Sequence, residues 1–115
     1  MNIRPESLID TPLMAHARAT LRNSQRWFPT PDGLTGRWQI EHQALGLVGE
    51  CGEVVEHVKK WHRRDFDTDE LRARLVSELP DVLTYLLNLA ALLDVDLDEA
   101  LAAKQAECER RWGQP

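Results

Sequence analysis

The sequence is poor in cysteine: Cys51 and Cys108 could form at most one bridge in 115 residues. A chain of this size buries roughly two-thirds of the surface its unfolded form exposes, enough to fold without disulfides or a structural metal. Long apolar runs are also missing. The richest, Val82 to Leu93, contains Thr84, Tyr85 and Asn88 and falls short of the ~20 apolar residues that spanning a bilayer requires, so no membrane span is expected. No apolar segment follows the start either, since Met1 to Pro12 is polar with Arg4, Glu6 and Asp10. The expectation is a reduced, cytoplasmic protein. Nor is there an excess of positive charge. Fourteen Lys and Arg against 19 Asp and Glu leave a net charge of −5, which disfavours nucleic acid and anionic lipid as partners. Convincing strand alternation, low-complexity tracts and internal repeats are absent as well.

What is present is helical, and residues 1–115 read as one domain. Thr11 before Pro12 suits a helix start, the hydroxyl capping orphan amides while Leu13, Ala17, Leu21 and Phe28 follow one face. Pro29, Pro31, Asp32, Gly33 and Gly36 form the one proline- and glycine-rich connection. A long second helix is predicted from about Arg37 to Arg64, with Leu47, Cys51, Val54, Val55 and Val58 at helical spacing. Gly46, Gly49 and Gly52 fall inside it. Each costs about 1 kcal/mol relative to alanine there, which points to close approach of a neighbouring backbone or a ligand. After a polar turn at Asp65 to Asp69, Leu71, Leu75, Leu79, Val82, Leu86, Leu89 and Leu93 carry a third helix. Asp94-Val95-Asp96 ends it, and Asp96 with Glu99 has the form of a capping box opening a fourth helix to about Trp112. The predicted class is all-α, an antiparallel four-helix-type bundle.

Two pairs of acids carry the chemistry. Glu50 and Glu53 stand three residues apart on the second helix, and Glu78 and Asp81 three apart on the third, so each pair shares a face. Solvated helix faces show such pairs too. Here the stripe through Glu50 and Glu53 also holds Gly46, His57, Lys60 and Arg64, bordered by Leu47, Val54 and Val58. The stripe through Glu78 and Asp81 holds Arg74, Tyr85 and Asn88, flanked by Leu71, Leu75, Val82, Leu86 and Leu89. Antiparallel packing through those flanks would bring four carboxylates to one cleft, where desolvation and repulsion favour protonation unless a multivalent cation neutralises them. Oxygen ligands, with His57 the one nitrogen or sulfur candidate on either stripe, indicate Mg²⁺ or Mn²⁺ rather than Zn²⁺. Magnesium leaves room for water and phosphate oxygens, which suits phosphate ester or anhydride chemistry. Lys59, Lys60, Arg63 and Arg64 further along could steer a polyphosphate, or simply complement the helix dipole.

At these residues a resemblance emerges. Ala44-Leu45-Gly46-Leu47-Val48-Gly49-Glu50-Cys51-Gly52-Glu53 followed by Glu78-Leu79-Pro80-Asp81-Val82-Leu83 resembles the E-x-x-E and E-x-x-D signature of the MazG-like nucleoside triphosphate pyrophosphohydrolases. The wording is closest to their dCTP pyrophosphatase-like branch, and the similarity runs from about Trp38 to Trp112. It implies a homo-oligomer, dimer or tetramer, in which Glu50, Glu53, Glu78 and Asp81 hold Mg²⁺ against a nucleoside triphosphate. Water would attack the α-phosphorus, with Glu53 orienting or deprotonating it, and yield nucleoside monophosphate and pyrophosphate, as in cleaning of the nucleotide pool. It also implies phosphate contacts from Lys104 and Arg111, an aromatic near the base at Trp61, and base or sugar contacts beginning at Trp38 and His42. A related helical hydrolase, a dUTPase or phosphoribosyl-ATP pyrophosphohydrolase, shares the carboxylate logic, and a non-catalytic oligomerisation or regulatory module is the alternative of another kind.

Three positions depart from the family pattern. Cys108 stands where an asparagine is expected, Gly49 where many relatives carry a further glutamate, and Pro80 lies between the second pair of acids, where it frees the Val76 carbonyl and invites a kink. The four tryptophans, Trp27, Trp38, Trp61 and Trp112, suit core and interface packing as well as base stacking.

Overall fold

A computed structural model describes residues 11–113, which form four helices and, among the described residues, no strand: α1 (Pro12–Trp27), α2 (Gly36–His62), α3 (Thr68–Leu92) and α4 (Leu97–Trp112). The polar segment up to Asp10 lies outside the described residues. Local chemistry accounts for most boundaries. Asp67 caps α3 by accepting from the Glu70 N–H at 2.9 Å, and Asp96 caps α4 by accepting from Glu99 N–H at 3.1 Å. Both α2 and α3 end with a non-glycine residue at positive φ, Arg64 at 70° and Asp94 at 51°. The backbone then closes two bonds, Asp65 N–H to Lys60 O with Arg64 N–H to Trp61 O, and Val95 N–H to Ala90 O with Asp94 N–H to Ala91 O. These are paired Schellman closures that satisfy the last carbonyls.

The start of α1 corrects the sequence reading. The Thr11 hydroxyl makes no cap and is buried without a partner. Instead the Leu13 N–H donates to Asp98 Oδ2 of α4 at 3.2 Å, so a carboxylate from a distant helix meets the positive end of α1. Phe28, expected on the apolar face, is 63% exposed.

The core lies between α1 and α3, where Met14 and Ala17 meet Leu87, with Leu13, Ala91 and Leu97 packed around them. Ala17 is completely buried, a small residue that lets the two backbones approach. On its other side α3 packs against α2, while α4 rests chiefly on α1 and buries none of its own residues. One chain therefore does not close four helices around a single core. The radius of gyration is 17.3 Å, against about 13 Å for a compact chain of 100 residues. Leu45, Val48 and Val55 of α2 and Val76, Leu79, Leu83 and Leu86 of α3 are exposed, the latter at the 3-4-3 spacing of a helix-packing seam.

Pro80 is accommodated within a continuous α3, and the Thr84 hydroxyl donates to the Pro80 carbonyl at 2.8 Å. The helix that carries the second pair of acids also meets a length-and-composition threshold that core helices of soluble proteins pass as well. By length and composition α3 is long and apolar enough to cross a membrane, with a mean hydropathy of 1.3 over its best window. A count of uninterrupted apolar residues overlooks this, because one polar side chain at a time scarcely lowers an average taken over a whole helix.

Candidate active site

Antiparallel contact between α2 and α3 sets the acids face to face. Ligand oxygens of Glu50, Glu78 and Asp81 all lie within 4.8 Å of one another. Glu53, one turn beyond Glu50, is exposed and lies outside this group. Burial raises the pKa of Glu50 above the ordinary carboxylate value, a hydrogen bond with Glu53 and the charges of Glu53 and Asp81 raise it further, and a hydrogen bond with Glu78 opposes them. His57 Nε2 stands 3.4 Å from Glu78 Oε1, a long contact. Glu50 Oε2, Glu78 Oε2 and His57 Nδ1 are buried without hydrogen-bond partners.

Orphaned carboxylate oxygens of this kind are costly unless a cation meets them. Nearby basic side chains are engaged elsewhere: Lys60 with Glu56 at 3.9 Å, Arg63 with Asp65 at 2.8 Å and Arg74 with Glu70 at 3.1 Å. An all-oxygen anionic donor set with unsatisfied lone pairs fits a hard divalent cation. The residues present thus fit a metal.

Two of the acids, Glu50 and Asp81, border a cavity of about 460 Å³, within the range of small-ligand sites. Helix α1 contributes Thr20, Asn23, Ser24, Trp27 and the adjoining Phe28; α2 contributes His42 and Glu50; α3 contributes Asp81, Thr84, Tyr85 and Asn88. His42 is stacked on Trp38, centroids 4.8 Å apart and planes 11° from parallel, so two of the expected base or sugar contacts form one aromatic unit. Of the three interior glycines only Gly46 is tightly approached. A Cβ there would overlap the Tyr85 ring, whereas Gly49 and Gly52 face open space. Beneath the cavity, Asn88 Nδ2 donates to Gln43 Oε1 at 2.9 Å and Gln43 Nε2 donates to Ser24 Oγ at 3.1 Å.

The remaining residues expected to bind substrate are dispersed within one chain. Trp61 and Arg64 line a separate hollow at the α2–α3 turn with Phe66 and Asp67, where Trp61 Nε1 donates to Thr68 Oγ1 at 3.2 Å. Lys60 pairs with Glu56 on its own helix. On α4, Lys104 and Arg111 are exposed and both pair with Glu107, at 3.2 and 3.8 Å. Conversely, the structure adds Ser24, Trp27 and Phe28 of α1 and Tyr85 and Asn88 of α3 as cavity residues. Tyr85 and Asn88 continue the Glu78–Asp81 stripe, a signal legible at helical spacing; the α1 residues carry no such signal.

Comparison with known proteins places this geometry in context. A family described as MazG nucleotide pyrophosphohydrolase domain matches residues 39–112, more than half of the chain. The chain is 36% identical over 89 residues to dCTP pyrophosphatase 1 of Bos taurus and 38% identical over 87 residues to that of Mus musculus, covering 65% of this chain and 49% of each relative. It is also 46% identical over 59 residues to Gene 37 protein of Mycobacterium phage L5, covering 49% of this chain and 51% of that protein. The chain thus spans about half the length of the curated relatives it matches. No solved structure matches it.

Proposed function

Since the chain belongs to the MazG nucleotide pyrophosphohydrolase family, we propose that it hydrolyses a nucleoside or deoxynucleoside triphosphate to the monophosphate and pyrophosphate. The observation that carries this reading is the convergence of Glu50, Glu78 and Asp81 at the edge of an aromatic-lined cavity. Those three carboxylates would hold Mg²⁺, with Mn²⁺ a substitute, and Glu53 would join them as fourth ligand or base. The ion supplies charge neutralisation for the phosphate oxygens and lowers the pKa of water. Glu53, exposed and beside Glu50, accepts the proton of the water that attacks the α-phosphorus; the bond from that phosphorus to its bridging oxygen breaks, and pyrophosphate leaves. His57 holds Glu78 in place, while Trp27, Phe28 and the His42–Trp38 pair offer faces for the base.

We further read the chain as working in a homodimer or homotetramer. The uncovered apolar stripes of α2 and α3 supply the surface, and a second copy would offer Lys104, Arg111, Lys60, Trp61 and Arg64 a route to a phosphate or base that they do not reach within one chain. Removal of surplus or non-standard nucleotides is the role such chemistry serves, and two exposed free cysteines accord with a cytoplasmic setting. The test is a panel of triphosphates, dUTP included, incubated with magnesium and resolved by product. Monophosphate with pyrophosphate is expected; diphosphate with orthophosphate, or no turnover of any triphosphate, defeats the reading.

A further inference from the structure

Helix α1 supplies one wall of the cavity, through Thr20, Asn23, Ser24 and Trp27 with the adjoining Phe28. Its packing on α3, Met14 and Ala17 against Leu87, is apolar, and the force behind it is non-directional. Directional contacts come at its two ends. Near the cavity Ser24 Oγ is hydrogen-bonded to the Gln43 amide of α2 at 3.1 Å. At the far end the Leu13 N–H donates to Asp98 Oδ2 at 3.2 Å, a bond between residues 85 positions apart.

The amino end of α1 leaves this role to Asp98. Pro12 has no N–H, and the Ala15 N–H is taken by the Thr11 carbonyl at 2.9 Å. Thr11 itself makes no side-chain cap, its hydroxyl is buried without a partner, and the first turn of α1 holds no acid. A helix normally draws its capping oxygen from the adjacent residue. Here the charge that meets the positive end of the α1 dipole comes from another helix.

Asp98 is in turn held firmly. It stands in the first turn of α4 between Leu97, which packs against the core, and Glu99, whose N–H donates to Asp96 Oδ1 at 3.1 Å. Leu13 to Ser24 spans about 16 Å of helix at ~1.5 Å per residue. A helix passes an axial shift from one end to the other, so displacement at Leu13 moves Ser24, Trp27 and Phe28 against Glu50 and Asp81, which stand on other helices.

We propose that Asp98 is a positioning residue: by stopping the amino end of α1 it sets where the α1 wall of the cavity stands against the acids, and so governs ligand affinity from outside the cavity. This rests on the nucleotide reading of the cavity, and binding rather than turnover tests it. Misplacement by about 1 Å from a remote substitution can cost about 10²-fold, and a helix that loses one end-stop while still packed on α3 should lose less, about tenfold.

Calorimetry on the full chain uses magnesium with the α,β-methylene analogues of dCTP, dUTP, dATP and dGTP, and urea unfolding is read on the same samples. Asp98→Ala should lower the urea midpoint and weaken the analogue that the unaltered chain binds best by about tenfold. Adding Thr11→Asn separates two roles. Asparagine is a strong N-cap, so the double variant should recover most of the midpoint, while affinity stays low because a local cap does not tie α1 to α4. Should Asp98→Ala fail to fold, Asp98→Asn keeps an acceptor and loses the charge, and should weaken binding by about threefold. Magnesium affinity without analogue should hold in every variant, since the acids stand on α2 and α3. Affinity that returns with the midpoint, affinity untouched by loss of Asp98, magnesium affinity that falls alongside, or no binding of any analogue overturns the proposal. Binding that depends on Asp98 without cleavage of any triphosphate would defeat the enzymatic reading alone, and cleavage with affinity independent of Asp98 would defeat this inference alone.

Discussion

Helix α3 makes two interfaces of opposite character. Towards α1 its core is dry and apolar, Leu87 meeting Met14 and Ala17. Towards α2 it is acidic and only half-buried, with Glu78 and Asp81 opposite Glu50 and two orphaned carboxylate oxygens at the contact. The first gains stability from removing apolar surface from water. The second loses some, because like charges are brought together out of solvent. One helix thus carries the scaffold on one side and the proposed chemistry on the other, and substitutions on its two faces should separate folding from function.

The largest effect expected is on the acidic side. Asp81→Asn removes a charge from the proposed metal site and should lower kcat by about 10³-fold, the scale of losing a principal electrostatic contributor. Melting temperature without metal should hold or rise, since one repelling charge is gone. A parallel loss of stability would mean that Asp81 belongs to the scaffold. Leu87→Ala on the opposite face should do the reverse, costing about 2–5 kcal/mol of stability with kcat per folded molecule nearly unchanged. Denaturant unfolding and active-site titration of the same samples decide the matter. Between these comes His57→Ala, which leaves all three acids intact and frees Glu78 to turn. Losses of about 10–100-fold in metal affinity or activity follow from such supporting contacts. An unchanged magnesium titration would show that the long His57–Glu78 contact orients nothing.

The two interfaces also differ in how far the sequence disclosed them. The acidic one was legible, because acids three residues apart on two consecutive helices with a short turn must face one another or solvent, and their apolar flanks exclude solvent. Gly46 was legible for a similar reason, as a residue too costly in a helix interior unless something approaches it, and the Tyr85 ring does. The dry interface was harder. Its register depends on Ala17 and Ala91, whose small side chains look the same in a sequence whether buried or exposed, and the seating of α1 decides which of its residues line the cavity. Ser24 and Phe28 were therefore invisible as site residues. The same gap explains Thr11: the standard helix start was read locally, while the amide it should have capped went to Asp98, far along the chain. The open packing of α4 has a related cause, since apolar spacing announces a face to be covered without saying whether the same chain covers it.

The smallest effect predicted concerns pH, and its sign follows from Glu50. Its pKa is raised, first by burial and then by Glu53 and Asp81, so the folded protein holds a proton on this carboxyl more tightly than the unfolded chain does. Below the ordinary carboxylate range both states are protonated and the group contributes no penalty. As pH climbs from that range through the raised value, the unfolded state releases its proton first and folding stability falls; above it the penalty is constant. Metal-free protein should therefore melt at a lower temperature at pH 7 than just above pH 5, by more than Glu50→Gln does under the same conditions. On the proposed reading magnesium binds the ionised form, so saturating metal should flatten or reverse the difference. The α1–α3 side has no ionisable group among its packed core residues, and Leu87→Ala should shift both melting curves together without changing the gap between them. If the gap persists in Glu50→Gln, the pH response has its origin elsewhere and the acidic interface is not the strained one.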